Sequence, residues 1–142
     1  AAFLTLFCDG GKGFVAVLFA ELLSEEFTVQ AVCLFVFIGH CFPIWLKFKG
    51  GKGVATYIGI VTSINFLFGL VTCVIWLLSA AILRISSFSA LLSTISGPFI
   101  VFFLLDSSFL GMSAMLSCLI FWTHRANIRR ILNGTESNIN VN

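Results

Sequence analysis

The stretch that decides the fold is Pro43-Ile44-Trp45-Leu46-Lys47-Phe48-Lys49-Gly50-Gly51-Lys52-Gly53-Val54-Ala55-Thr56. Here one long apolar run ends, three lysines and three glycines fall within seven residues, and a second apolar run begins. Cations are costly inside hydrocarbon, so the lysines are expected at a water boundary. The stretch therefore predicts a loop that connects two membrane-embedded helices.

Composition places the whole chain in the membrane class. Of its 142 residues, 59% are hydrophobic and only 10% are charged, and the mean hydropathy is +1.09. A soluble globular domain carries about 25% charged residues. The net charge is only +2 and the basic residues gather at segment ends. That distribution argues against a nucleic-acid binder, which needs a continuous basic face.

Apolar runs divide the chain into six predicted helical spans, because backbone in lipid must satisfy its own hydrogen bonds. The first run is interrupted by Cys8-Asp9-Gly10-Gly11-Lys12-Gly13. As one helix, residues 54–83 would reach about 45 Å against a hydrocarbon core of about 30 Å, so we expect a break at Thr62-Ser63-Ile64-Asn65. A steeply tilted single helix is the alternative. The six expected spans are residues 1–23, 28–46, 54–64, 66–83, 88–105 and 109–123.

The alternation of loop charges favours two helices, rather than one, over residues 54–83. With six spans, the basic loops fall on one side of the membrane and the acidic loops on the other, and the positive-inside rule makes the basic side cytoplasmic. With a single span over 54–83, Arg84 and the C-terminal arginines would lie outside. We therefore predict an all-α, polytopic membrane bundle that forms one domain over residues 1–142, with 136–142 as a frayed tail.

The glycine and lysine loop is suited to an anion. Gly50, Gly51 and Gly53 leave the backbone free to form a nest of N–H groups, and the next helix would point its N-terminus at a bound phosphate. The motif is not a Walker A loop, because Gly53 follows Lys52 where Ser or Thr is required. It predicts phosphate binding without nucleotide hydrolysis. A basic loop that anchors to anionic lipid headgroups is the alternative.

Other polar residues interrupt the apolar pattern. Asp9 and Lys12 are one helical turn apart and can pair, either as a functional site or as a structural link between helices. His124 and Asn127 share one face of a helix that leaves the membrane, where an imidazole could accept a proton. A plain juxtamembrane basic helix is the alternative there. His40 lies within a span and fits a packing histidine.

In combination, these segments resemble the bacterial acyl-phosphate-dependent glycerol-3-phosphate acyltransferases, the PlsY family. The resemblance covers the chain in order and implies a seven-helix membrane enzyme with its signature segments facing the cytoplasm. Such an enzyme would move a fatty acyl group from acyl phosphate to the 1-hydroxyl of glycerol 3-phosphate, giving lysophosphatidic acid, with no cofactor, metal or obligate protein partner. The matching segments are Asp9-x-x-Lys12-Gly13, Gly39-His40-Cys41-Phe42-Pro43 with Phe48-Lys49-Gly50-Gly51-Lys52-Gly53-Val54-Ala55-Thr56, and His124-Arg125-Ala126-Asn127-Ile128-Arg129-Arg130 through Gly134-Thr135-Glu136.

The resemblance also implies roles for individual residues. Lys52, His124 and Asn127 would be catalytic, and Glu136 would be structural. The expected substrate-binding residues are Asp9, Lys12, His40, Gly50, Gly51, Lys52, Gly53 and Thr56.

The chain departs from the family pattern at its N-terminal side. The family has an additional helix followed by a cytoplasmic S-G-N-x-G-A-x-N type segment with a catalytic serine, and these 142 residues contain no such stretch. We therefore expect six of seven spans and an N-terminally incomplete chain. An inactive fragment of the enzyme and a small non-enzymatic transport subunit are the alternatives to an active enzyme. The expected location is the bacterial inner membrane, with the active site facing the cytoplasm.

Overall fold

A computed structural model describes residues 2–139, with side chains from residue 4 onward, and this part of the chain is helical with no β-strand. Each of the six predicted spans corresponds to one α-helix. The eight residues Arg125–Leu132, which follow the last span, form a short helix of their own. Two 3-10 turns, Ile44–Leu46 and Ser107–Phe109, lie in the connections. The helices are α1 (Ala2–Leu23), α2 (Glu26–Cys41), α3 (Val54–Ile64), α4 (Phe66–Leu83), α5 (Ser86–Leu104), α6 (Leu110–Thr123) and α7 (Arg125–Leu132).

The uncharged run over residues 54–83 is two helices, as its length predicted. Asn65 interrupts it with an extended backbone (φ −159°, ψ 123°). The Asn65 side chain caps α4, because Oδ1 accepts a 3.1 Å hydrogen bond from the backbone N–H of Phe68. An asparagine at this position satisfies a backbone donor that a continuing helix would otherwise have bonded. The prediction of a break, rather than one tilted span, is confirmed.

The polar interruption in the first run leaves α1 unbroken. Its glycines allow α1 and α3 to pack closely, since a Cβ on Gly13 would lie 2.6 Å from the carbonyl oxygen of Thr56. A Cβ on Gly59 of α3 would likewise overlap the backbone of Gly10. Small residues at a helix interface are the usual route to close approach in membranes. The interruption is therefore a packing surface within a continuous helix.

Helix length and surface chemistry fit a bilayer. By length and composition, three helical segments in the described part of the chain can cross a membrane, namely Glu26–Leu46, Phe66–Leu83 and Ser86–Leu104. Two more apolar helical segments, Val54–Ile64 and Ser107–Thr123, are shorter. Large apolar side chains such as Phe27 and Phe103 are exposed, as expected where lipid replaces water around the bundle.

The connections that follow α2, α4 and α6 meet at one end of the bundle. The hydroxyl of Thr123 donates to the carbonyl of Lys52 at 2.9 Å, and the hydroxyl of Ser87 donates to Glu136 at 2.6 Å. This clustering agrees with the prediction that the basic loops share one side.

The chain after α7 is attached to the same end. The backbone N–H of Ile139 donates to the carbonyl of Arg84 at 2.6 Å, and Glu136 is hydrogen bonded to three side chains. The prediction of a frayed tail is therefore wrong for residues 136–139, because a buried carboxylate secures them. Residues 140–142 lie outside the described part of the chain.

Candidate active site

A cavity of about 1070 Å³ lies between the helices and reaches the end of the bundle where these loops meet. Its size and largely apolar wall are typical of small-molecule sites with a few convergent polar groups. The polar or charged residues in its lining include Lys52, Ser86, Ser87, His124, Asn127, Arg130, Glu136 and Ser137. The apolar wall comes mainly from α1, α3 and α4 through Leu6, Phe7, Phe14, Val15, Ala55, Ile58, Trp76 and Leu77.

Lys52 reaches the cavity because α3 begins directly after the glycine loop. Gly53 has a left-handed backbone (φ 85°) that ends the loop, and α3 starts at Val54. A Cβ on Gly53 would overlap the ring of Phe37, so only glycine fits here. Lys52, Val54 and Ala55 line the cavity, which confirms that the loop leads into a helix and places that helix's first turn at the cavity wall.

His124 occupies the junction of α6 and α7 and is 2% exposed. Its Nδ1 lies 2.9 Å from the carbonyl oxygen of Ile120. A carbonyl only accepts, so Nδ1 carries the proton and the neutral ring keeps a free lone pair on Nε2. In the described part of the chain, all hydrogen bonds of the ring use Nδ1.

Burial lowers the pKa of the His124 imidazole below its ordinary value. The hydrogen bond to the Ile120 carbonyl opposes this change, the charge of Lys52 lowers the pKa further, and the charge of Glu136 raises it. Because the burial effect is the largest, the ring is neutral near pH 7 and can accept a proton there.

Glu136 organises the neighbouring polar side chains. Its Oε1 accepts hydrogen bonds from Ser87 and Asn127, both at 2.6 Å, and its Oε2 pairs with Nε of Arg130 at 2.6 Å. Donation by Ser87, Arg130 and Asn127 lowers the pKa of the Glu136 carboxyl to about 2. The carboxylate therefore stays ionised and holds α7 against the start of α5.

Asp9, Lys12 and His40 form a second polar cluster, outside the residues that line the cavity. Nζ of Lys12 lies 2.6 Å from Oδ1 of Asp9 and 2.5 Å from Nδ1 of His40. The predicted Asp9–Lys12 pair within α1 is thus confirmed, and the contact of Lys12 with His40 links α1 to α2. The His40 ring lies directly beside the glycine loop, since a Cβ on Gly51 would overlap it.

The remaining predicted binding residues are not part of the cavity lining either. Gly50 and Gly51 lie against the end of α2, where the N–H of Gly50 donates to the carbonyl of Cys41 at 3.1 Å. Thr56 is fully buried against Gly13 of α1. Of the predicted set, the cavity brings together Lys52, His124, Asn127 and Glu136.

Sequence reasoning missed Arg130, Ser86 and Ser87. Arg130 is one helical turn from Asn127 on the same face of α7, and that spacing could have identified it. The two serines begin α5 and reach the site only through tertiary packing, so no local pattern marks them. In the described part of the chain, no group of three His, Cys, Asp or Glu side chains could hold a metal ion.

Comparison with known proteins identifies the family. A family model described as glycerol-3-phosphate acyltransferase matches residues 1–134. The chain belongs to the glycerol-3-phosphate acyltransferase family. The resemblance to PlsY enzymes is thereby confirmed, and so is the all-α membrane fold.

Curated relatives and solved structures agree with this assignment. The glycerol-3-phosphate acyltransferase of Roseobacter denitrificans is 47% identical over 139 residues, covering 98% of this chain and 70% of that protein. The enzyme of a Jannaschia species is 45% identical, covering 98% of this chain and 68% of that protein. A crystal structure of PlsY, an integral membrane glycerol 3-phosphate acyltransferase in its lysophosphatidic acid form, matches with a TM-score of 0.91 at 32% identity, covering 96% of this chain and 71% of that one. The glycerol 3-phosphate form of PlsY matches with the same TM-score at 31% identity, covering 97% and 70%.

Proposed function

We propose that this acyltransferase moves a fatty acyl group from acyl phosphate to the 1-hydroxyl of glycerol 3-phosphate, giving lysophosphatidic acid and phosphate for phospholipid biosynthesis. The observation that carries the proposal is one continuous cavity, which joins a polar end at Lys52 and His124 to an apolar wall formed by α1, α3 and α4. An acyl phosphate has the same division into an anionic head and an apolar chain.

The polar end supplies positive charge for two phosphate groups. Lys52 contributes an ammonium, and Arg130 contributes a guanidinium whose Nε is already bound to Glu136. The start of α3 adds the positive end of its helix dipole where Val54 and Ala55 line the cavity. These positive groups offset the repulsion between the two phosphates, which allows the reacting atoms to come into contact.

His124 is suited to accept the proton of the attacking hydroxyl. Its hydrogen bond to Ile120 fixes the proton on Nδ1 and leaves Nε2 available. The hydroxyl oxygen bonds to the carbonyl carbon as its proton passes to Nε2, and the bond from that carbon to the phosphate oxygen breaks. Phosphate leaves with the bonding electron pair. Asn127 is fixed by Glu136 and lies in the cavity lining, where its amide can orient substrate.

Transfer from defined donors tests the proposal. The purified protein is given radiolabelled glycerol 3-phosphate with acyl phosphate, acyl-CoA or acylated acyl carrier protein in separate reactions. We expect labelled lysophosphatidic acid with acyl phosphate alone, and much less of it from a Lys52→Ala variant. Product from acyl-CoA alone would contradict the donor assignment, and no product from any donor would contradict the activity.

We also propose that the site faces the cytoplasm of a bacterial inner membrane and that membrane lipids surround the helices. Support comes from the loop charges, since Lys47, Lys49 and Lys52 lie in the connection after α2, and the helix order puts Arg84 and the α7 arginines on the same side. A membrane-impermeant thiol reagent should label Lys49→Cys only after the inner membrane is permeabilised. It should label Ser24→Cys, in the connection between α1 and α2, in intact spheroplasts. The reverse pattern would contradict this orientation.

A further inference from the structure

The cluster of Asp9, Lys12 and His40 has a geometry that does not suit direct substrate binding. The ammonium of Lys12 is already shared between Oδ1 of Asp9, at 2.6 Å, and Nδ1 of His40, at 2.5 Å. His40 is the most enclosed of the three, with 10% of its side chain exposed. None of these side chains lines the cavity, although Gly10 and Gly11 between Asp9 and Lys12 do. The helix therefore turns its glycines to the cavity and its charges to α2.

The cluster fixes the orientation of the His40 ring. A lysine ammonium only donates, so Nδ1 of His40 accepts and the neutral ring carries its proton on Nε2. Asp9 holds the ammonium from the other side, and its oxygen lies 3.5 Å from the same Nδ1. Lys12 therefore holds the ring directly, and Asp9 acts on the ring through its ion pair with Lys12.

The His40 ring in turn lies against the glycine loop. A Cβ built on Gly51 would overlap the Nε2 edge of this ring, and one on Gly50 would overlap the backbone at His40 and Cys41. The backbone N–H of Gly50 also donates to the carbonyl of Cys41 at 3.1 Å. Lys52 directly follows Gly51 in the chain, and it lines the cavity.

We propose that Asp9, Lys12 and His40 are positioning residues that hold the backbone at Gly50 and Gly51, and through it place Lys52 at the phosphate-binding end of the cavity. The inference rests on the proposed function, because the phosphate belongs to one of its two substrates. The positioning role differs from direct binding of phosphate by Lys12. In direct binding, Asp9 would compete with the substrate phosphate for the Lys12 ammonium.

Asp9→Asn separates these two roles because it keeps the shape of the side chain and removes its charge. If Lys12 bound phosphate directly, releasing it from Asp9 would leave the KM for the phosphate substrate unchanged or lower it. If the cluster positions the loop, Asp9→Asn, Lys12→Met and His40→Gln each raise that KM by about tenfold, and Asp9→Asn/Lys12→Met is no worse than the poorer single variant. Measuring KM separately for glycerol 3-phosphate and acyl phosphate shows which phosphate the loop holds.

Two measurements distinguish positioning from a general loss of structure. The thermal midpoint of the three variants should stay within about 3 °C of the parent protein, and the KM of the second substrate should change little. Gly51→Ala, which places a methyl group against the His40 ring, should raise the same KM as the cluster variants. Glu26→Gln is the matched control, because it makes the same class of change at the other end of α2 and should have no effect.

The outcomes of this experiment are distinct from those of the activity assay. A parent protein that makes no lysophosphatidic acid contradicts the proposed function. An active parent protein whose Asp9→Asn variant keeps both KM values overturns only the positioning role. A fall in thermal midpoint with parallel changes in both KM values also overturns it, since that pattern indicates a structural link between α1 and α2.

Discussion

Asn127 donates a 2.6 Å hydrogen bond to the same carboxylate oxygen of Glu136 that accepts from Ser87. Asn127 is 4% exposed, so its amide would lose a partner in a buried setting if the carboxylate were absent. The carboxylate thereby connects α7 to α5 and fixes an amide in the cavity wall.

Replacing Glu136 should destabilise the protein. Glu136→Ala leaves the buried donors of Asn127 and Ser87 unpaired and should cost on the order of 2 kcal/mol. Thermal unfolding in detergent measures the change. Glu25→Ala, at an exposed acid between α1 and α2, is the control and should leave the midpoint unchanged. Equal midpoints for Glu136→Ala and the parent protein would contradict the structural role.

The same carboxylate predicts the direction of a pH effect. Its pKa falls from an ordinary value of 4.5 to about 2 on folding, so its contribution is fully present above about pH 4.5. That contribution is lost as the pH falls through about 2. Glu136→Gln should therefore show a weaker dependence of the thermal midpoint on pH between about 4.5 and 2 than the parent protein. If the thermal midpoints of Glu136→Gln and the parent protein change equally with pH over this range, the prediction is wrong.

Lys52 should act mainly on the affinity for phosphate. Lys52→Gln removes a charged donor at the cavity, worth about 1.5–3 kcal/mol, which corresponds to a KM increase of about 10- to 100-fold for the substrate it contacts. Steady-state kinetics with both substrates measures this. Lys47→Gln changes another lysine of the same connection that does not line the cavity, and its KM values should match the parent protein. An equal effect of both variants would indicate a general role of loop charge.

His124 should control the acidic limb of the pH profile. Burial lowers its pKa and Lys52 lowers it further, so kcat/KM should rise with pH below about 6.5 and be level near pH 7. His124→Gln should reduce kcat by about 10²- to 10⁴-fold and remove this limb. In Lys52→Gln, the limb should move to higher pH because a nearby positive charge is lost. A limb that persists in His124→Gln would show that another group accepts the proton.

Local signals in the sequence predicted the helices and part of the site. Asn65 breaks a run that is too long for one span, and in the structure its side chain caps α4. The spacing of Asp9 and Lys12 predicted their ion pair. The same reasoning placed His124 and Asn127 on one face because they are three positions apart along a predicted helix.

Contacts between distant segments were beyond local patterns. His40 meets Lys12 across 28 positions in the chain, and Ser87 meets Glu136 across 49. Such pairs depend on how α1 packs on α2 and α7 on α5, which periodicity and charge do not specify. Among the residues expected to bind substrate, the fold places Lys52 in the cavity wall. It places Asp9, Lys12 and His40 in the cluster behind the glycine loop.

Close packing of α1 on α3 should make Gly59 intolerant of a side chain. Gly59→Ala would press a methyl group onto the carbonyl of Gly10, and overpacking of this kind costs about 1–3 kcal/mol. Gly39→Ala is the matched control, because a Cβ there meets nothing within 4 Å. Thermal unfolding should show a lower midpoint for Gly59→Ala and no loss for Gly39→Ala. Equal midpoints would mean that the two helices separate at little cost.

The apolar body of the cavity should limit the length of the acyl chain. Cavity residues on α3 run from Val54 to Thr62, just over two turns and about 12 Å along the helix. Cys73 of α4 also lines this space, earlier in α4 than Trp76 and therefore farther from the polar end where α4 gives way to α5. Cys73→Phe should fill the deep part of the cavity and shift the preference toward shorter acyl phosphates, because a long chain would no longer fit.

Competition between acyl phosphates of different length measures this shift as a ratio of kcat/KM values. One methylene group in an apolar pocket is worth about 1–3 kcal/mol, so the ratio should change by about 10- to 200-fold. Cys118→Phe makes the same substitution at an exposed cysteine on α6 that does not line the cavity, and it should leave the ratio unchanged. A Cys73→Phe variant with the parental length preference would place the acyl chain elsewhere, since the added ring would then occupy space that no substrate uses.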